Sequence, residues 1–109
     1  MLQASKDVRL SLSSRNVRKV TQFHFTAWPD QGVPDFAGPL LVFQRRIKSQ
    51  HKPTKGPLVI HCDGGVGRTG CFLAIDIALA QVARESVIDV AGIVYQLRNQ
   101  RMKMIQSQV

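Results

Sequence analysis

A cysteine set between an apolar run and a helix-forming stretch constrains this chain more than any other feature. His61-Cys62-Asp63-Gly64-Gly65-Val66-Gly67-Arg68-Thr69-Gly70 follows Pro57-Leu58-Val59-Ile60 and precedes the apolar stretch Cys71 to Arg84. The thiol therefore falls where a strand is expected to end and a helix to begin. Gly64, Gly65 and Gly67 are expected to free the backbone to curl, so that several N–H groups point inward. The helix N-terminus adds partial positive charge. Arg68 adds a planar fork that matches two oxygens of a phosphate or sulfate. These residues describe a cradle for a tetrahedral dianion with a thiol at its floor.

In such a field the thiol is expected to ionise, because cysteine pKa values fall from ~8.5 to ~3.5–7.5 beside cations or helix N-termini. A thiolate beneath a phosphate suits in-line attack on phosphorus, forming a phosphocysteine. The inward N–H groups and Arg68 would meet the charge that develops on the equatorial oxygens. A glycine-rich turn with an inert buried cysteine is the plain alternative. It does not account for Cys, Arg, Thr and Gly arriving together between strand and helix.

A coarse reading of the rest places that loop. Val8 to Leu12 and Val17 to Thr26 read as strands around the polar turn Ser13-Ser14-Arg15-Asn16, with Val20, Phe23 and Phe25 partly alternating. Residues 27 to 36 read as a loop held by Pro29, Gly32 and Pro34. Gly38-Pro39 opens a helix to about Gln50 with an apolar stripe of Leu40, Leu41, Phe43 and Ile47. Lys52 to Gly56 is a linker, and Leu58 to His61 a short buried strand. A helix from about Arg68 to Arg84 is expected to bury Phe72, Leu73, Ile75, Ile77, Leu79 and Val82. Another, from about Asp89 to Gln100, turns Ile93, Val94 and Leu97 to the core. Alternating strands and helices argue an α/β layered fold.

The run at 61–70 resembles the signature of the protein tyrosine phosphatases, His-Cys-x-x-Gly-x-x-Arg-Ser/Thr-Gly, and matches it at His61, Cys62, Gly65, Arg68, Thr69 and Gly70. Upstream, Trp28-Pro29-Asp30-Gln31-Gly32-Val33-Pro34 is similar to the family's mobile acid loop. The resemblance covers most of residues 17 to 108. Gln22-Phe23-His24-Phe25-Thr26 and Gly70-Cys71-Phe72 look most like receptor-type members. It implies a twisted mixed β-sheet flanked by helices, of which residues 1–109 would be a C-terminal portion truncated at both ends. It also implies hydrolysis of protein phosphotyrosine without metal or cofactor.

Site residues follow by resemblance. Cys62 is the nucleophile. Asp30 is the general acid and then the base that activates water. Arg68 holds the phosphate together with the backbone of Asp63, Gly64, Gly65, Val66 and Gly67. Thr69 assists departure of the thiolate, and Gln106, in Met104-Ile105-Gln106, positions the hydrolytic water. Asp30 and Gln106 also count as substrate contacts. His61 suits a supporting role that helps fix the thiolate. Cys71, on the following helix, should be inert.

Two departures temper this reading. Asp63-Gly64 stand where the family usually has Ser-Ala, and a carboxylate facing the cradle would repel both thiolate and phosphate. Inward N–H groups turn side chains outward, so a mild effect is expected. The family's aromatic substrate loop is absent from these residues. A catalytically impaired domain that binds phosphotyrosine or a partner is therefore the alternative to an enzyme.

Composition bounds the remaining classes. The chain has 109 residues, 44% of them hydrophobic, so disorder is not expected. Fifteen Lys and Arg against seven Asp and Glu give a net charge of +8, which suits an anionic partner. The basic residues, among them Arg98, Arg101 and Lys103, are scattered and read as solvated, and no nucleic-acid-binding motif appears. Two cysteines make no disulfide framework, and a redox-active Cys62 needs a reducing compartment, so a cytoplasmic site is expected, in a soluble protein or in the cytoplasmic part of a membrane receptor. The three histidines lack metal-ligand spacing. No apolar run is long enough for a membrane span.

Overall fold

The computed structural model describes the backbone of residues 3–12 and 16–18, and backbone and side chains of residues 19–29, 32–52, 54 and 56–105. Contacts divide the chain into two compact units, Met1–Lys55 and Gly56–Val109.

In the first unit, strands β1 (Gln3–Leu12) and β2 (Asn16–Phe25) form an antiparallel hairpin. Its register runs from Leu12 opposite Asn16 to Gln3 opposite Phe25. β1 thus begins five residues before the expected Val8, because pairing continues along the whole of β2. Residues 13–15 of the expected turn lie outside the described residues. Phe23 and Phe25 are half-buried on either side of exposed His24, the period-two pattern of a strand with one covered face. Val20 falls on the other face and is exposed.

Helix α1 (Gly38–Gln50) opens at Pro39, whose fixed φ suits a first helical turn. It buries Leu40, Phe43, Gln44 and Ile47, one face at helical spacing. Phe43 packs on Phe25 with ring centroids 5.1 Å apart and a 58° tilt, the geometry aromatic pairs prefer over a sandwich. Between β2 and α1 the indole N–H of Trp28 donates to the Gly32 carbonyl at 3.0 Å.

In the second unit, α2 (Gly67–Glu85) ends at Ser86 in the left-handed conformation, and α3 (Val90–Gln100) starts at Asp89. The Asp89 carboxylate accepts the Gly92 N–H at 3.0 Å, a side-chain N-cap. The Asp89 N–H donates to Gln81 of α2 at 2.9 Å, so the cap also ties the two helices. Ile93, Leu97 and Met104 form the core, covered by Val66, Leu73, Ala74 and Ala78.

Three expectations change. Leu58 to His61 pairs into no ladder among the described residues, and Val59 is 78% exposed rather than buried. A strand needs a neighbour for its N–H and C=O groups, and no described strand supplies one. For the same reason the described sheet is a two-stranded antiparallel hairpin and not a mixed sheet. Finally, Ile77 and Val82 are exposed. α2 is apolar nearly all round but packs against α3 along one face, so only that face is covered.

Candidate functional site

Cys62 sits at the end of the unpaired segment 56–62, and the loop 63–66 carries the chain from it into α2. Val66, the N-cap of α2, makes no side-chain cap bond. A helix start has N–H groups that need acceptors from elsewhere. Here the Cys62 sulfur takes that part. It accepts the Thr69 hydroxyl at 3.0 Å, and the backbone N–H groups of Thr69 and Gly65 also point to it. Thr69 is buried and Cys62 half-buried, so this contact is partly shielded from water.

The electrostatic balance at the sulfur is mixed in sign. Burial pushes the thiol up, since a thiolate is poorly solvated there. The Thr69 hydroxyl, the two N–H groups and the Arg68 guanidinium favour the thiolate and together outweigh burial, so the Cys62 pKa falls below its ordinary value. Cys71 has no such donors, and burial alone raises it. The two thiols are thus driven apart.

The glycines of the loop differ in their reasons. Gly65 has φ of 72°, the left-handed region that favours glycine, and the Arg101 guanidinium lies 3.0 Å from where a Cβ would stand. Gly70 leaves room for Ile105, whose backbone nitrogen would lie 2.7 Å from a Cβ. Gly64 and Gly67 use no positive φ and face no close neighbour, so the conformational freedom expected of them is not called on.

Other expected site residues distribute as follows. Arg68 is half-buried in the first turn of α2 and acts on the thiol by its charge. Asp63 is exposed and does not figure among the groups that act on the thiol, which agrees with the outward orientation. His61 is also exposed and absent from those groups, so the supporting role expected of it is not seen. Asp30 and Gln106 lie outside the described residues.

Two residues near the loop escaped the sequence reading. Arg98 donates to the carbonyls of Met104 at 2.9 Å and Ile105 at 3.1 Å, and Arg101 packs behind Gly65. Both had read as solvated charges. Their spacing of one helical turn at the end of α3 was the available signal.

The family model described as protein-tyrosine phosphatase matches residues 3–109. The chain is 48% identical over 95 residues to receptor-type tyrosine-protein phosphatase S of Gallus gallus, covering 87% of this chain and 6% of that protein. It is 47% identical over 95 residues to receptor-type tyrosine-protein phosphatase F of Danio rerio, covering 87% and 5%. A crystal structure of a Trypanosoma cruzi protein tyrosine phosphatase superposes with a TM-score of 0.82 at 33% identity, covering 96% of this chain and 36% of that one. The chain thus spans a small part of each relative. On that match the chain belongs to the protein-tyrosine phosphatase family, as part of a catalytic domain.

Proposed function

We propose that residues 1–109 are the nucleophile-bearing portion of a domain that hydrolyses protein phosphotyrosine through a phosphocysteine. The observation that carries this is the Cys62 sulfur held 3.0 Å from the Thr69 hydroxyl, with its pKa lowered by the donors around it. Cys62 attacks phosphorus in line as the P–O bond to the tyrosine breaks. Asp30 gives its proton to the leaving phenolate oxygen. Arg68 and the backbone N–H groups of residues 63–67 stabilise the equatorial oxygens. Water, positioned by Gln106 and deprotonated by Asp30, then attacks the phosphocysteine. The Thr69 hydroxyl bonds the sulfur as it departs as thiolate.

The mixed sheet and the aromatic substrate loop are supplied, in this reading, by parts of the domain outside these residues. The small share of each relative that the chain covers supports that. The need for a reducing environment around an ionised thiol supports a cytoplasmic site, in a soluble protein or in the cytoplasmic part of a membrane receptor. No helix among the described residues is long and apolar enough to cross a membrane. No observation favours the binding-only alternative.

The test exchanges the matching 95 residues of the chicken receptor-type relative for those of this chain. A denaturing quench of its reaction with a radiolabelled phosphotyrosine peptide should leave label on Cys62. Cys62→Ser should abolish turnover and keep peptide binding. Turnover that survives Cys62→Ser would overturn the mechanism.

A further inference from the structure

The turn that follows α3 is built at a conformational cost. Lys103 has φ of 63° and Ile105 φ of 61°, both in the left-handed region. A β-branched residue there is an outlier that persists only where its surroundings over-determine it. The surroundings of Ile105 do so. Its N–H donates to the Val66 carbonyl at 2.9 Å, while the Arg98 guanidinium takes its carbonyl and that of Met104. One arginine fork and one backbone bond therefore pin the peptide units on both sides of the strained residue.

What this turn touches is the rear of the Cys62 loop. The Val66 carbonyl that accepts Ile105 also accepts Gly70, the first bond of α2. Gly70 is open enough for the Ile105 backbone to lie against it. From the start of the same turn, Arg101 sets its guanidinium against Gly65. The braced residues Gly65, Val66 and Gly70 include or adjoin those whose N–H groups face the sulfur, Gly65 and Thr69.

We propose that Arg98 is a positioning residue for the nucleophile. By clamping the 101–105 turn it holds Gly65, Val66 and Gly70 so that the loop frames Cys62. The inference rests on the phosphatase reading of that loop. Arg98 bonds the turn and does not figure among the groups that act on the thiol. It acts through Ile105, with Arg101 as a second support. Arg68 is the charged group that acts on the thiol, and Asp63 and His61 on either side of Cys62 are exposed.

The test is made in the full-length protein with Arg98→Met, which keeps the apolar stem and removes the fork, and Arg98→Lys, which keeps the charge without the bidentate geometry. Iodoacetamide alkylation of Cys62 is followed from pH 5 to pH 10, with thermal melting as a check on folding. Arg98→Met should slow alkylation at pH 6 by about fivefold or more, with the loss shrinking as pH rises toward 10, as a weakened thiolate requires. Arg98→Lys should fall between. Phosphotyrosine turnover should lose kcat with KM kept. An unchanged alkylation profile in a folded Arg98→Met protein overturns the proposal. If that variant does not fold, Arg98→Lys decides by the same comparison. Alkylation needs no turnover, so an unsubstituted protein that fails to hydrolyse phosphotyrosine would sink the phosphatase reading while the clamp still stands or falls on the alkylation profile.

Discussion

Cys62 and Cys71 share a chemistry and differ in what surrounds the sulfur. Donors from Gly65 and Thr69 and the charge of Arg68 lower the first, and burial raises the second. Iodoacetamide should therefore label Cys62 with a midpoint below that of an ordinary thiol, and Cys71 with a midpoint above it. Thr69→Ala should move the Cys62 midpoint up and slow its labelling at acid pH by up to about tenfold, the most that one hydrogen bond to a charged, part-exposed acceptor supplies. An unmoved midpoint would mean that the hydroxyl contact does not bias the thiol. The linked effects on stability have opposite signs. A lowered thiol means that the unfolded chain binds more protons, so the stability from Cys62 is present above its unfolded value and is lost as pH falls through the folded one. A raised thiol reverses this, and the contribution of Cys71 is lost as pH rises through its folded value.

At the scale of elements, the loop and the turn behind it fit because three glycines differ in what they allow. Gly65→Ala places a Cβ in the left-handed region against the Arg101 guanidinium, at a cost of about 1–2 kcal/mol from the backbone alone. Gly70→Ala drives a Cβ into the Ile105 backbone, where nothing flexible can yield, at a cost of about 1–3 kcal/mol. Gly67→Ala meets nothing within 4 Å and should be neutral or stabilise by up to about 1 kcal/mol. Urea unfolding of the three variants checks this order. Gly67→Ala proving the most harmful would show that α2 does not begin as described. The N-cap of α3 is a separate element of the same unit. Gly92 stands where a Cβ would run into the Asp89 carboxylate, so the cap bond and the glycine belong together.

At the scale of the molecule, each unit leaves apolar surface uncovered. Val59, Ile77, Val87, Ile88, Val90 and Tyr95 are exposed in the second unit, and Phe36 and Val42 in the first. Single exposed apolar residues are ordinary, but a helix apolar on two faces, and a segment that pairs into no ladder among the described residues, are what a partial domain would leave. The 109-residue chain by itself should bind a hydrophobic dye, unfold over a broad temperature range and show no measurable phosphotyrosine turnover. A sharp thermal transition accompanied by turnover would refute the partial-domain reading.

Local rules were enough for much of this. Pro39 and the Leu40, Phe43, Ile47 stripe set α1, and the spacing of Ile93 and Leu97 set the covered face of α3, because capping and periodicity act within a few residues. The Cys62 loop was legible for the same reason: its glycines, arginine and threonine lie just before α2 or in its first turn. What required the tertiary structure depends on residues distant in sequence. Arg98 looks like any solvated charge until the chain turns back and brings the Met104 and Ile105 carbonyls to its fork. Gly70 looks like a flexible position until Ile105 is laid against it. Leu58 to His61 carries the composition of a strand, yet a strand exists only with a partner, and composition cannot supply one. The sequence alone determined which residues form the Cys62 loop. Tertiary contacts decided what holds that loop in shape, because a brace is a relation between segments and leaves no periodic trace in either.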